Sequence, residues 1–363
     1  MIVVYVSGHG YGHATRVGEV LRALRGRSPE TELTIVTSAP EVLFRRALAG
    51  PFAYRRLQCD VGLVQAGALV IDEAATAERW RAFAAELPRR VAEEAIWLKR
   101  SRARAVLSDI PPFAFDAAAE AGIPAVGLAN FSWDWIYRHL APRQPVLAEA
   151  AASASASYRR AHLLLQLPFA GDLGAFPRRE EIPLVARRPK RSRQEVRSAL
   201  GLGTGPLVLL SFGGLGLPGF DHGVLAGLEG FHFLVVGDLE PGPANVTALP
   251  GERLDALGLG HEDLVAGAEV VVTKPGYGIV SDAIAARTRL VYTERGDFLE
   301  YEVLVEGMAR HLPCVHVSNE DLRAGKLGAA LRGVLALPFP PVPDLSGAAV
   351  AARRLLEVAT GRG

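Results

Sequence analysis

Cysteine is nearly absent: Cys59 and Cys314 are the two in 363 residues. They lie far apart and match no metal-ligand spacing, so neither a disulfide framework nor a zinc module is expected, and a reducing, cytoplasmic setting is. An excess of one charge is lacking too. The 40 Lys and Arg against 39 Asp and Glu leave a net charge of +1, which gives no overall pull toward nucleic acid or an anionic membrane. No apolar run is long enough to span a bilayer, and the chain opens on a strand-like segment without a basic leader. Two short motifs are missing as well. Without a Gly-Lys-Ser/Thr triplet there is no P-loop, and without Asp-x-Asp there is no such metal-bound diphosphate site. What remains, 49% apolar and 22% charged residues, is the composition of a globular protein with room for two ordinary domains.

The first loop organises the reading. Ile2–Val6 is a short apolar, β-branched run of the kind buried on both faces of a sheet, and Val17, Val20, Leu21 and Leu24 repeat at helical spacing after it. Between them stand Gly8, His9, Gly10, Tyr11, Gly12 and His13. Glycines and histidines at the carboxyl end of a strand mark the place where open α/β sheets bind ligands. A dinucleotide fingerprint is disfavoured, because His13 takes the place of the third glycine and the next strand, Leu33–Thr37, ends without a carboxylate. A histidine here points either to chemistry on a substrate or to a helix cap.

Strand and helix then alternate. Helix is expected at Glu41–Ala49, strand at Tyr54–Leu57, and a loop over Gly62–Asp72. Phe83, Leu87, Val91 and Leu98 mark a long helix that Pro88 should bend. Strands follow at Ala105–Ser108, Ala125–Ala129 and Leu163–Leu167, with helices at Asp116–Ala121 and, on the surface, Ala148–Ser157. This order predicts a parallel sheet with helices on both faces.

Pro168 to Arg193 is rich in Pro, Gly and charge, and its basic run Arg187–Arg193 has no interleaved aromatics to stack bases. It reads as a solvated linker, not a nucleic-acid patch. Ser192 and Glu195 form a capping box, and Leu207–Phe212 then enters a second Gly-rich loop at Gly213-Gly214. Further strands are expected at Phe231–Val236, Glu269–Thr273, Arg289–Thr293 and Val315–Val317, with helix at Ile279–Ala286 and Ser346–Val358. The second half restarts as the first began. Two facing Rossmann-like domains with a cleft between them are expected: residues 1–168, a linker over 169–191, residues 192–345, and a C-terminal helix over 346–363 that packs back on the first domain.

The stretch Tyr5–Arg16 closely resembles the opening of the glycosyltransferase-like domain that precedes the kinase domain in plant L-arabinokinases. The likeness continues through Ser108-Asp109, Asn130–Asp134, Pro183–Arg197 and Lys274–Asp282, and no galactokinase-like kinase segment is read after the C-terminal helix. More remotely, Gly276–Asp282 is similar to the donor loop of the peptidoglycan N-acetylglucosaminyltransferase family that makes lipid II. That resemblance implies the two-domain GT-B fold and a UDP-sugar substrate. It also implies that Asp282 stands where the family's Glu holds the ribose, one methylene short, and that His13 matches the histidine ending the Gly-rich opening.

The residues fit those implications. Gly213, Gly214, Gly276, Tyr277 and Gly278 present backbone N–H groups and a helix N-terminus to a diphosphate, with Lys274 adding charge and Thr273 a hydroxyl. The other reading of these glycines is tight turns alone. Asp282 is a ribose ligand or a dipole partner of its helix. Asp297 and Glu300 hold sugar hydroxyls or are surface charges. His13 has the intrinsic pKa of a general base, and Asp109, from a neighbouring strand, orients it or caps a loop. Gly10, Gly12, Arg16, Phe131, Trp133 and Asp134 line the acceptor side, the aromatics as sugar platforms or as plain core.

The leading reading is a metal-independent, inverting glycosyltransferase that uses a UDP-sugar and a hydroxyl acceptor. No separate cofactor is expected. Alternatives on the same fold are a nucleotide-sugar epimerase or hydrolase, or a regulatory module that binds a nucleotide sugar without turnover.

Overall fold

The computed structural model describes residues 1–65, 71–213, 217, 219–237 and 242–362. Five-residue apolar runs dictate its centre. In β1 (Ile2–Val6) and β2 (Leu33–Thr37) every residue is buried, as it must be when helices cover both faces of a parallel sheet. The first half continues with β3 (Ala53–Arg56), β4 (Ala105–Asp109), β5 (Ala125–Ala129), β6 (Leu163–Gln166) and β7 (Arg179–Glu181). Between the strands run α1 (Tyr11–Arg27), α2 (Glu41–Ala47), α3 (Glu73–Arg100), α4 (Pro112–Ala121), α5 (Trp133–Leu140) and α6 (Val146–Tyr158). The spatial order is β3-β2-β1-β4-β5-β6-β7, and every neighbouring pair is parallel.

The second half repeats the plan. It comprises α7 (Arg193–Leu200), β8 (Leu207–Ser211), β9 (His232–Val236), β10 (Val246–Leu249), α8 (Gly251–Ala256), α9 (His261–Gly267) and β11 (Val270–Thr273). It goes on through α10 (Tyr277–Ala286), β12 (Arg289–Tyr292), α11 (Glu300–Met308), β13 (Cys314–His316), α12 (Asn319–Arg323) and α13 (Gly328–Ala336), and closes with α14 (Gly347–Ala359). Its six parallel strands stand in the order β10-β9-β8-β11-β12-β13. In both sheets the winding reverses beside the first strand, between β1 and β4 and between β8 and β11. Those two reversals open crevices at the carboxyl ends of the strands.

Departures from the sequence reading fall where burial is one-sided. Arg179–Glu181, read as linker, is β7, the edge strand of the first sheet. An edge strand with polar, half-exposed residues carries no apolar run to betray it. The helix after Asn130 is α5, and α3 runs on through Pro88 as one helix. Strand β10 and helices α8, α11, α12 and α13 are short, and local spacing did not mark them. The Ser192 capping box is formed: Glu195 N–H donates to Ser192 Oγ at 3.3 Å, and Ser192 N–H donates to Glu195 Oε2 at 2.7 Å. Among the described residues no helix is long and apolar enough to cross a membrane.

The chain crosses between the sheets twice. After α13 it returns to the first domain, where α14 lies against α1 and the end of β4. The two crossings are stitched together: Leu184 N–H donates to Asp344 O at 3.1 Å and Gly347 N–H to Leu184 O at 3.3 Å. At Gly347 a Cβ would stand 2.0 Å from the Pro183 carbonyl oxygen, so only glycine fits. Gly347→Ala should therefore cost about 1–3 kcal/mol, the usual price of overpacking, measured by urea denaturation. Unchanged stability would mean that α14 does not seat on the linker.

Candidate functional site

The first crevice is built by three strand ends. Val6 of β1 lies beside Asp109 of β4, and Ser7 N–H donates to the Asp109 carbonyl at 2.8 Å. A Cβ at Gly8 would stand 1.9 Å from Ser38 Oγ and 3.2 Å from Ser38 Cβ, so a side chain there would have to turn the Ser38 hydroxyl aside. Gly10 has φ 87°, a conformation that favours glycine, and it precedes the first turn of α1. A Cβ at Gly10 or at Gly12 would meet nothing within 4 Å, so both face open space.

His13 and Arg16, three residues apart, share the face of α1 that looks at Asp109. His13 Nδ1 lies 2.8 Å from Asp109 Oδ1. Arg16 forks onto the same carboxylate, Nε to Oδ2 at 2.5 Å and Nη2 to Oδ1 at 2.5 Å, while its Nη1 donates to Asn130 Oδ1 at 2.7 Å beyond the end of β5. All four residues are buried. Burial alone would raise the Asp109 pKa, but Arg16 and His13 beside it outweigh that and hold the carboxyl below its ordinary value. An ionised acceptor at 2.8 Å assigns the proton to Nδ1, over the 3.2 Å approach of Arg16 Nη2. Nε2 of His13 then carries the lone pair.

Aromatic residues wall this pocket. Phe131 meets the His13 ring edge to face at 5.7 Å, and Trp133 meets Phe131 at 5.1 Å. Trp133 is fully buried, stacks on Tyr137, and donates its indole N–H to Asp60 Oδ2 at 2.9 Å. Phe131 and Trp133 are thus supporting core, not an exposed platform. Asp134, expected on the acceptor side, is buried and engaged through Oδ2 by Arg138 of its own helix at 2.7 Å. Asp60 went unnoticed in the sequence because it lies in an aperiodic stretch. Its carboxyl is pushed up by burial, against the hydrogen bonds from Ser7 and Trp133 and the nearby His13.

The second crevice lies between β8 and β11, whose ends pair Ser211 with Thr273. Gly213 has φ 75° and open space before it, while Gly214 lies outside the described residues. Gly276 caps the N-terminus of α10, and the nearest atom to a Cβ there would be Arg295 Nη1 at 3.9 Å. Burial, reinforced by Arg295, lowers the Lys274 pKa to about 8. The crevices face each other: a Cβ on Gly278 would stand 3.7 Å from Gly12 Cα, so the N-termini of α1 and α10 nearly touch.

Several expected donor-site residues are engaged elsewhere. Thr273 Oγ1 is taken up by two backbone carbonyls, of Ser211 at 2.5 Å and Lys274 at 2.9 Å. Tyr277 is an interdomain packing residue, with its ring under the Arg16 guanidinium at 5.2 Å and its hydroxyl accepting from Val185 N–H at 3.4 Å. Asp282 is not open to a ribose. Arg187 of the linker grips both of its oxygens, donating from Nε to Oδ1 at 3.3 Å and to Oδ2 at 3.1 Å and from Nη2 to Oδ2, and Arg187 Nη1 reaches Glu262 Oε2 at 3.1 Å. Asp282 is 2% exposed, and the shorter carboxylate is met by a protein cation instead of a ligand.

Asp297 pairs with His139 Nε2 at 2.7 Å and Arg143 Nη2 at 2.5 Å. Glu300 accepts from Asn130 Nδ2 at 2.7 Å and from Arg295 Nη1 at 3.2 Å. Both carboxylates thus tie the second domain to the first. Phe298 between them joins the apolar cluster of the first domain.

Arg187→Met should destabilise the chain by about 3 kcal/mol or more in denaturant titration, because buried Asp282 loses its cationic partner and half-buried Glu262 beside it is left unpaired. Adding Asp282→Asn should recover part of that loss; strict additivity of the two changes would contradict the pairing.

No family model matches this sequence. Over 365 aligned residues the chain is 32% identical to L-arabinokinase of Arabidopsis thaliana, covering 99% of this chain and 34% of that protein. The chain thus spans about a third of the length of that curated relative. Among solved structures, a kitacinnamycin glycotransferase superposes with TM-score 0.61 at 18% identity, covering 100% of this chain and 95% of the other. Arabidopsis thaliana UGT89C1 bound to quercetin gives 0.62 at 14% identity, over 98% and 94% of the chains. A Polygonum tinctorium UDP-glucosyltransferase gives 0.61 at 13% identity, over 99% and 93%. Two reversed parallel sheets facing across a cleft, shared with these enzymes over the full chain, give this protein the GT-B fold.

Proposed function

We propose that this chain is a metal-independent, inverting glycosyltransferase that moves a sugar from a UDP-sugar to a hydroxyl acceptor. The observation that carries the reading is the 2.8 Å contact of His13 Nδ1 with Asp109 in the first crevice, opposite the N-terminus of α10 in the second. In this reading Nε2 of His13 takes the acceptor's hydroxyl proton while the acceptor oxygen bonds to the anomeric carbon. The bond from that carbon to the diphosphate oxygen breaks, its electron pair leaves with UDP, and one displacement inverts the centre. Asp109 stays ionised and steadies the imidazolium. Backbone N–H groups at the start of α10 and the Lys274 ammonium meet the charge that develops on the leaving diphosphate.

The UDP-sugar is suggested by the named donor of the Polygonum tinctorium neighbour together with the Gly276–Gly278 cradle. The phosphoryl transfer in the relative's name is not carried over, because the chain spans only about a third of that protein. A second reading, a nucleotide-sugar-binding module without turnover, is favoured by the grip of Arg187 on Asp282. Hydrolysis or epimerisation of a nucleotide sugar is the remaining enzymatic variant, and product analysis with water as sole acceptor tests it.

His13→Ala should cut turnover by roughly 10²–10⁴-fold with UDP affinity nearly unchanged, read by product formation and calorimetry. A folded His13→Ala protein with most of its activity would remove His13 from the reaction. No turnover with any of a panel of UDP-sugars, together with tight UDP binding, would favour the binding module.

Two further outcomes follow from charge. UDP affinity should fall as pH rises through about 8, where Lys274 loses its proton. EDTA should leave turnover intact, and a strict divalent-ion requirement would overturn the mechanism.

A further inference from the structure

The loop that leads into α1 holds a second histidine with no part in that proton transfer. His9 is half-buried, and its ring is socketed. Trp133 meets it edge to face at 5.4 Å, and the Leu63 N–H donates to its Nδ1 at 3.3 Å. Gly62, at φ 64°, lies so close that a Cβ would stand 2.7 Å from His9 Cβ and Cγ. The Gly62 carbonyl is itself held by the Tyr137 hydroxyl at 3.1 Å. Such a socket fixes a ring that works in one orientation.

The Leu63 contact also assigns the tautomer. A backbone N–H only donates, so Nδ1 keeps its lone pair and Nε2 carries the proton. Burial first, then His13, Arg295 and Lys274, lower the His9 pKa to about 3. The ring stays neutral at any working pH and retains that one N–H. Lys274 and Arg295 belong to the opposite domain and flank the start of α10, where Arg295 Nη1 donates to Pro275 O at 3.4 Å. His9 directly precedes Gly10, the N-cap of α1, and the start of α1 approaches that of α10 where a Cβ on Gly278 would stand 3.7 Å from Gly12 Cα, so His9 lies on the first-domain side of the space in front of α10.

We propose that His9, through Nε2–H, donates a hydrogen bond to the diphosphate of the nucleotide sugar from across the cleft. Lys274, Arg295 and the α10 N-terminus hold the same group from the other side. This assignment rests on the glycosyl-transfer reading above. As the anomeric C–O bond breaks, its electron pair moves to the diphosphate oxygen, and an oriented neutral donor gains strength with that charge. No proton changes hands at His9. The acceptor's proton goes to His13, and the diphosphate leaves as the anion.

The test uses the full chain with inorganic pyrophosphate as the binding probe. His9→Phe keeps a ring against Trp133 and removes the N–H, whereas His9→Gln retains an N–H. His9→Phe should weaken pyrophosphate binding about tenfold and lower kcat about 10–100-fold with its melting temperature near wild type, the direction seen when one preorganised donor is lost. His9→Gln should recover most of both. Unchanged pyrophosphate affinity in folded His9→Phe, or a His9→Gln as defective as His9→Phe, would overturn the assignment. A wild type that binds pyrophosphate through His9 yet transfers no sugar would sink the glycosyl-transfer reading and leave the anion contact standing. An active enzyme indifferent to His9→Phe would do the reverse.

Discussion

One buried carboxylate holds the cleft together. Asp109, with no exposure to solvent, receives the two-pronged fork of Arg16 and the Nδ1 of His13. Its charge is tolerable in the interior only because both partners answer it. Those partners sit on α1, and Arg16 passes the grip on to Asn130, which donates to Glu300 of the second domain. The network spans the ends of β1, β4 and β5 and then crosses between domains. Its failure would loosen His13, the start of α1 and the tie to the second domain together, so the proposed chemistry and the fold share one anchor.

The second crevice is held differently. Its expected anion-binding surface is chiefly backbone, at Gly213, Gly276 and the first turn of α10; open space lies before Gly213, while Gly276 and Gly278 face Arg295 and the start of α1 at van der Waals distance. Its carboxylates are spent on structure. Asp282 is held by the linker, and Asp297 and Glu300 by the first domain. Two cationic side chains, Lys274 and Arg295, stand near the start of α10, and Arg295 is itself paired with Glu300 at 3.2 Å.

Much of this was legible in the chain. Runs such as Ile2–Val6 and Val270–Thr273 announce strands covered on both faces, and a strand, a glycine loop and a helix occurring twice announce two similar halves. The meeting of His13 with Asp109 was one of two readings open for Asp109, the other being a loop cap; His13 opens α1 just after β1, and Asp109 ends the neighbouring β4. What stayed hidden were partners far away in sequence. Nothing local marks Arg187 as the mate of Asp282, because a basic run in a Pro-rich segment looks solvated until the fold buries one member. Aromatic residues gave the opposite difficulty. Trp133 has the composition of a sugar platform, and only packing on Tyr137 and Asp60 shows that it is interior. Asn130, His9 and Asp60 carry no spacing rule at all.

The paired crossings of the chain have a mechanical meaning. The segment through Leu184 and the return through Asp344 and Gly347 run side by side and are hydrogen-bonded to each other, and α14 is clamped onto α1. Two adjacent tethers resist twist far better than one. Here they join the two domains by a doubled connection whose strands are hydrogen-bonded to each other, not by one free linker. The same doubled connection therefore fixes the register in which the N-termini of α1 and α10 meet at Gly12 and Gly278.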